Sequence, residues 1–518
     1  MRKKLFLVSG LLAATLFTAC NNEEITMPQG DNEASQVETE GGQELVIALA
    51  DGSLNMGRSS NAFARAVAAA GDAGAINAFG RPLYSSMASQ YVQNIKVYFV
   101  DAQNKIARVV NVDKDYWKQS LAYNNGRKLT ISLKGDKKLT ATEQGTDYTV
   151  YAMAYSNTHG YQAFSPAENS TDATVGTNTG WSDFHATVTA ENDPSEIFAG
   201  QASIKAIKSA EKECLELTDG KDALVTLYRQ VAGISGYFKN IPANVNGDVP
   251  THLRLVASGK NTKVLFGELD TNVGDAADKV NVNHVMNGAE ASTSDKTAEY
   301  VGGKAKGHVV YEIELDKWFT EGFANADKDG DGFVTPNDVV TGGVNGEKAA
   351  WVNPNATVNN HVQGLVKGSV WGGKFVIPFA QTTSVPTLQL QLVQKAVDGK
   401  VSLLKYWNIK VDKTSTTASA VELPTGAIAA ITGDESNEVY NIYRNHMYSI
   451  GKKNFDNGNQ KPTEPVDPDK PNPEKPIDPD QPDPDPEGNN QPGDLSKGQD
   501  LTIHVNSNWE AVHNMEID

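Results

Sequence analysis

Two cysteines in 518 residues, Cys20 and Cys214, are too few for a disulfide-stapled framework or a Cys-rich zinc site. The nine histidines are scattered, with no His-x-x-x-His pair among them. Neither a G-x-S-x-G elbow nor a P-loop occurs. Carboxylate pairs are abundant but unspecific in so acidic a chain, so the sequence reads as a non-enzyme. Lys and Arg number 46 against 64 Asp and Glu, a net charge of −18. Phosphate backbones need clustered cations, which argues against nucleic acid as a partner. Long apolar runs are missing too. Even the longest run, residues 5–17, falls short of the ~20 apolar residues a bilayer span requires. Alternating βαβ units are not visible either, which argues against a doubly wound fold.

What is present begins with an address. Arg2, Lys3 and Lys4 precede an apolar run from Leu5 to Phe17, and Thr18-Ala19-Cys20 closes it. Charge, short apolar core and small residues form a secretory signal. A Cys after small residues resembles the lipobox of bacterial lipoproteins, with Phe17 where Leu is usual. Residues 1–20 are then the signal peptide and Cys20 the lipidated residue, leaving Cys214 without an intrachain partner. Residues 21–43 read as a polar tether. Glu44 to Ala50 is a strand candidate with Leu45, Ile47 and Leu49 on one face.

From residue 91 the chain turns β-rich. Residues 92–100, 129–133 and 148–155 alternate by period two and are rich in aromatic and β-branched side chains. Residues 198–217 read as a helix, with Cys214 as a small buried residue on it. Further strands are expected at 224–228, 252–257, 263–266, 308–315, 374–378, 387–393, 401–411 and 438–450, the last with Tyr440, Ile442, Tyr448 and Ile450 as core. Residues 311–324 carry some helical character. Short strands with turns between them argue for β-sandwiches, the first over 66–220 and the second over 221–455.

Eleven of the 22 prolines lie between Pro462 and Pro492. Residues 461–492 also hold nine acids against three lysines. Proline favours extended geometry and like charges repel, so 456–498 reads as a stiff spacer. Beyond it, 499–518 carries Leu501, Ile503 and Val505 on one strand face, then Trp509, Val512 and Ile517. A lone strand cannot bury its face or satisfy its backbone. Two readings are open: it folds back onto its own sandwich, or it adds to another molecule as a donor strand.

Taken in order, the lipobox, the early strand, Phe63-Ala-Arg-Ala66, two β-rich blocks, the Asp/Pro spacer and the closing Trp509 to Ile517 resemble one family. They are similar to the fimbrial shaft subunits (fimbrillins) of Bacteroidales type V pili, in layout most of all to those of minor fimbriae. The resemblance implies two tandem transthyretin-like β-sandwiches, an all-β fold with minor helix. It implies an outer-membrane lipoprotein precursor with a propeptide at 21–65, cut by an Arg-specific protease between Arg65 and Ala66. Arg58 and Arg81 are rival cuts. Losing the first strand would open a groove with unpaired backbone groups. A neighbour's C-terminal strand would fill it, giving a head-to-tail polymer at the cell surface. Implied partners are further copies of the chain, anchor and tip proteins of the fimbria, and host or bacterial surface ligands in adhesion.

One motif stands apart from that resemblance. Residues 327–338 fit a 12-residue calcium loop. Asp327, Asp329, Asp331, Thr335 and Asp338 are oxygen donors at positions 1, 3, 5, 9 and 12, Phe333 offers a carbonyl at 7, and Gly332 sits at the turn. Four close acids repel without a cation; a solvated Asp/Gly turn is the alternative. A rival function is a surface lipoprotein that binds or processes carbohydrate, with Trp351, Trp371 and Trp407 stacking on sugar rings or, alternatively, packing in the core.

Overall fold

The computed structural model describes residues 43–49, 94–112, 128–155, 159–166, 184–266 (save 211 and 219), 287–411 with gaps at 293–296, 300–305, 342–346, 355–364 and 380–385, then 440–451, 492–498 and 500–506. Their regular structure is all β apart from single 3-10 turns at Gly135–Lys137, Leu315–Lys317 and Phe323–Asn325. Among them no helix is long and apolar enough to cross a membrane. The helical character read at 311–324 amounts to two of those turns.

The first block holds β1 (Gln43–Leu49), β2 (Asn94–Asp101), β3 (Ile106–Val112), β4 (Lys128–Leu133), β5 (Thr146–Tyr155), β6 (Ala163–Ser165), β7 (His185–Thr187), β8 (Ile197–Lys208), β9 (Glu213–Leu217) and β10 (Leu224–Arg229). Eight of them make one curled sheet in the order β3-β2-β5-β8-β10-β1-β4, with β9 also on β8. Period two explains how it curls around a core. Ile95, Val97 and Phe99 of β2 and Val150, Ala152 and Ala154 of β5 meet Leu45, Ile47, Val225 and Leu227 in one core. The opposite faces of the same strands, with Tyr98, Tyr151 and Met153, join a second core that continues into the second block.

Residues 198–217 are not a helix. They form the β8–β9 hairpin, turned at Ser209, whose N–H donates to the Lys212 carbonyl. Ala, Lys and Glu favour helix locally, but β8 is paired with β5 and β10, and Ile204 and Ala206 alternate inward. Gly200 lies so close to Thr226 that a Cβ would fall 1.8 Å from its carbonyl oxygen. Cys214 is half-buried on β9, with its thiol 3.5 Å from Glu216 Oε1, and is not a core residue. The junction of the blocks also moves. Leu224–Arg229, read as part of the second sandwich, pairs with β1 and β8 and completes the first sheet.

The second block holds β11 (Ala232–Lys239), β12 (Ile241–Pro242), β13 (His252–Ala257), β14 (Asn261–Leu265), β15 (Gly288–Ala291), β16 (Thr297–Glu299), β17 (Lys306–Glu314), β18 (Phe333–Val334), β19 (Val339–Thr341), β20 (Ala349–Trp351), β21 (Val370–Val376), β22 (Leu388–Lys395), β23 (Val401–Val411), β24 (Met447–Ile450), β25 (Gly493–Asp494) and β26 (Asp500–Asn506). Its main sheet runs β16-β17-β13-β22-β23-β26-β24-β11-β21, with β25 also on β11. Tyr440, Ile442, Tyr448 and Ile450 are all in the core; of the strand expected at 438–450, the described residues 440–450 form strand at 447–450.

A small sheet welds the blocks: β15-β14-β7-β6 takes two strands from each. At the end of β10, Glu196 meets Arg229 at 2.7 Å with both side chains buried, and Arg229 Nη1 donates to Asn445 Oδ1 of the second block at 2.7 Å. Burial pushes the Glu196 carboxyl up, and the Arg229 guanidinium partly offsets this.

Candidate functional site

The site is the seat of β1. That strand lies inside the first sheet, parallel to β10 and antiparallel to β4. Leu45 and Ile47 are fully buried. Leu45 is registered with Ile131, and Ile47 with Leu129 and Val225. No tight hairpin holds it: its partners on either side are about 80 and 180 residues away in sequence, so it is an insert between strands that do not otherwise pair. Burying two such side chains contributes about 3–6 kcal/mol.

A polar clamp fixes its register. Gln43 is fully buried, and its amide Nε2 donates to the Leu139 carbonyl at 2.8 Å while its Oε1 accepts from the Leu139 N–H at 2.6 Å. A primary amide matches a backbone donor–acceptor pair on both counts. The sequence signal is slight, a Gln one residue ahead of an alternating run, at the end of a stretch (21–43) that reads as tether.

In its described part the C-terminal strand lies against its own sandwich. β26 lies within its own second block, parallel to β23 and antiparallel to β24. Leu501 and Ile503 are buried there, registered with Ile409, Val411 and Ile450. Part of the stretch read as spacer also docks: Gly493–Asp494 pairs with β11, and Leu495 is fully buried with its N–H donating to the Lys239 carbonyl. Val505 is in β26 by its backbone. Cys20, Arg65, Ala66, Trp509, Val512 and Ile517 lie outside the described residues.

The acidic loop is closed by its own carboxylates. Asp327 accepts from the N–H groups of Gly330 and Gly332, Asp329 from Asp331, and Asp331 from Phe333. Asp338, only 1% exposed, accepts from Lys328, Asp329 and Thr335 N–H and from the Thr335 hydroxyl at 2.6 Å. Burial alone would raise its carboxyl, but these four bonds outweigh burial and hold it below the usual range. Gly330 and Gly332 have φ of +76° and +91° with open space where a Cβ would stand, so conformation and not crowding requires glycine there. Oxygens of Asp327, Asp329 and Asp338 lie within 4.8 Å of one another, a convergent set of hard donors; Asp331 is not among them.

The three tryptophans are core residues. Trp351, Trp371 and Trp407 are at most 4% exposed, so none offers a face to a sugar ring.

No family model and no curated protein matches the chain. Solved structures similar to it include a candidate adhesin from Bacteroides ovatus, at 10% identity over 80% of this chain and 90% of that one, TM-score 0.32. Others are a candidate cell adhesion protein from Parabacteroides distasonis, 7% identical over 79% and 87%, TM-score 0.33, and a fimbrial assembly protein from the same organism, 10% identical over 79% and 90%, TM-score 0.29. The likeness is loose, and the functional reading rests on the chain's own strands.

Proposed function

We propose that this chain is the precursor of a polymerising subunit of a cell-surface fimbria. It is exported as a lipoprotein through Cys20, held at the outer membrane, and matured by cleavage after Arg65. One observation carries the reading: the strand lying N-terminal to Arg65 is an interior insert, paired on both edges, with Leu45 and Ile47 fully buried and no hairpin partner among the described residues. A cut at Arg65 severs that insert from the body. Its loss exposes two strand edges and the core beneath Leu45 and Ile47, which a second copy's strand can refill. Because the donated strand and the receiving slot lie on different parts of the chain, the contact is heterologous and propagates into a fibre.

The reading assigns no catalytic role. Its partners are copies of the same chain, with anchor and tip subunits at the fibre ends and adhesion targets along it. Calcium at 327–338 is a separate proposal, supported by the donor spacing and by the convergence of three carboxylates.

The deciding experiment is electron microscopy of full-length precursor treated with an Arg-specific protease, with and without residues 499–518. Fibres are expected only when the C-terminal segment is present. Monomers from the treated full chain refute the proposal.

A further inference from the structure

The two end strands are near-copies of one another. Residues 43–49 read Gln-Glu-Leu-Val-Ile-Ala-Leu, and 499–505 read Gln-Asp-Leu-Thr-Ile-His-Val. Gln, acid, Leu, Ile and a final aliphatic fall at the same offsets. Leu45 and Ile47 point into the first core as Leu501 and Ile503 point into the second. Their seats are alike as well. Each strand has one parallel neighbour, β10 or β23, and one antiparallel neighbour, β4 or β24. Alternating Leu and Ile alone would be generic for a buried strand. The shared glutamine and the shared mixed pairing are not.

We infer that residues 499–505 of one copy occupy the seat of 43–49 in the next, residue for residue. Leu501 takes the place of Leu45 and Ile503 that of Ile47. Gln499 takes over both bonds that Gln43 makes to Leu139. This rests on the reading above that β1 is released, and it adds the register.

Slipped alternatives fail on physical grounds. A one-residue slip turns Leu501 and Ile503 to the outer face. A two-residue slip in one direction puts Gln499 into the apolar position of Leu45. In the other direction it puts Leu501 where Gln43 stood, leaving the Leu139 N–H and C=O without their partner.

The chain has a place to pivot. Leu495 is fully buried and Gly493–Asp494 is paired with β11, whereas Ser496, Lys497 and Gly498 are exposed. Asp494 is further held by Asn240, whose Nδ2 donates to it at 3.0 Å. The anchor at 493–495 stays with its own block while the strand after Gly498 swings out.

Paired cysteines test the register in the full chain, in a Cys214→Ser background, after Arg-specific cleavage. Val46 is registered with Thr130 and Ala48 with Lys128. The inference therefore expects Thr502→Cys to cross-link to Thr130→Cys between copies, giving covalent ladders on non-reducing gels. The slipped pair, Thr502→Cys with Lys128→Cys, gives none. Gln499→Ala polymers are expected to dissociate at least tenfold faster than the parent, with Gln499 restored as the control. Polymer that cross-links only through the slipped pair, or only from Trp509→Cys to Thr130→Cys, overturns the register while leaving strand exchange standing. No polymer from the treated parent overturns both.

Discussion

Replacing Gln43 by alanine should loosen β1 far more than an ordinary edge substitution. The side chain is fully buried, and its amide satisfies the N–H and the C=O of Leu139 at once. Alanine leaves both backbone groups without that partner. An unsatisfied buried donor or acceptor costs about 1–3 kcal/mol, so the pair amounts to about 2–6 kcal/mol, with the lower end applying where water enters the vacated space. The loss falls on one strand, not on the whole fold, since β13, β22 and β23 of the second block are remote from it. Hydrogen exchange followed by mass spectrometry on the uncleaved precursor is the suitable assay. Amides of 43–49 and of Leu139 should exchange about 30-fold faster or more, the equivalent of 2 kcal/mol, while those of 388–395 remain protected. Unchanged protection across β1 would refute the claim that the amide clamp holds it. Gln43→Glu should be worse than Gln43→Ala, because it brings a charge in place of the donor into a buried site.

Other outcomes follow from the same geometry. Arg65→Ala should block release of the N-terminal segment and with it fibre growth; N-terminal sequencing of the mature polymer checks this, and a start at Ser59 or Pro82 would assign the cut to Arg58 or Arg81. Asp338 is held below its unfolded value, near 3.9, so its contribution is present above that pH and is lost as pH falls through the lower folded pKa. Asp338→Asn should remove that acid-range slope, read by thermal melts between pH 2 and 6. Titrating the full chain with calcium should release or absorb heat and raise the melting temperature; the absence of both changes would discard the metal. At the joint, Arg229→Met should cost about 3–5 kcal/mol by stranding buried Glu196. Arg444→Met should be neutral or stabilising. That guanidinium is 1% exposed, lies 5.3 Å from the Tyr228 ring centroid, has Nε and Nη2 without hydrogen-bond partners among the described residues, and is pulled down to about 10 by burial.

Strands that bury one face were readable in the sequence. The bounds of β23 agree with the alternation, because polar residues mark its other face. β11 was not readable. It is buried on both faces and contains Gly236, whose absent side chain makes room for Tyr311 and Phe238, so no alternation survives. The β8–β9 hairpin was misread because its Ala, Lys and Glu carry helix propensity, while the pairing that overrides it comes from β5, some 50 residues earlier. The membership of β10 depends on β1, nearly 180 residues away, and no local pattern reports that. At the site, the apolar residues of both end strands were legible. The clamp of Gln43 was not, since its partner is the backbone of Leu139, and a backbone carries no sequence signature.

The seat of β1 also fixes how such a joint bears load. A strand bonded along both edges and pulled along its axis meets every one of its hydrogen bonds in shear, where they must yield together. A strand peeled from a hairpin end gives them up one at a time. The small sheet shared by the two blocks then passes the same tension onward through paired backbone, without a flexible linker in between.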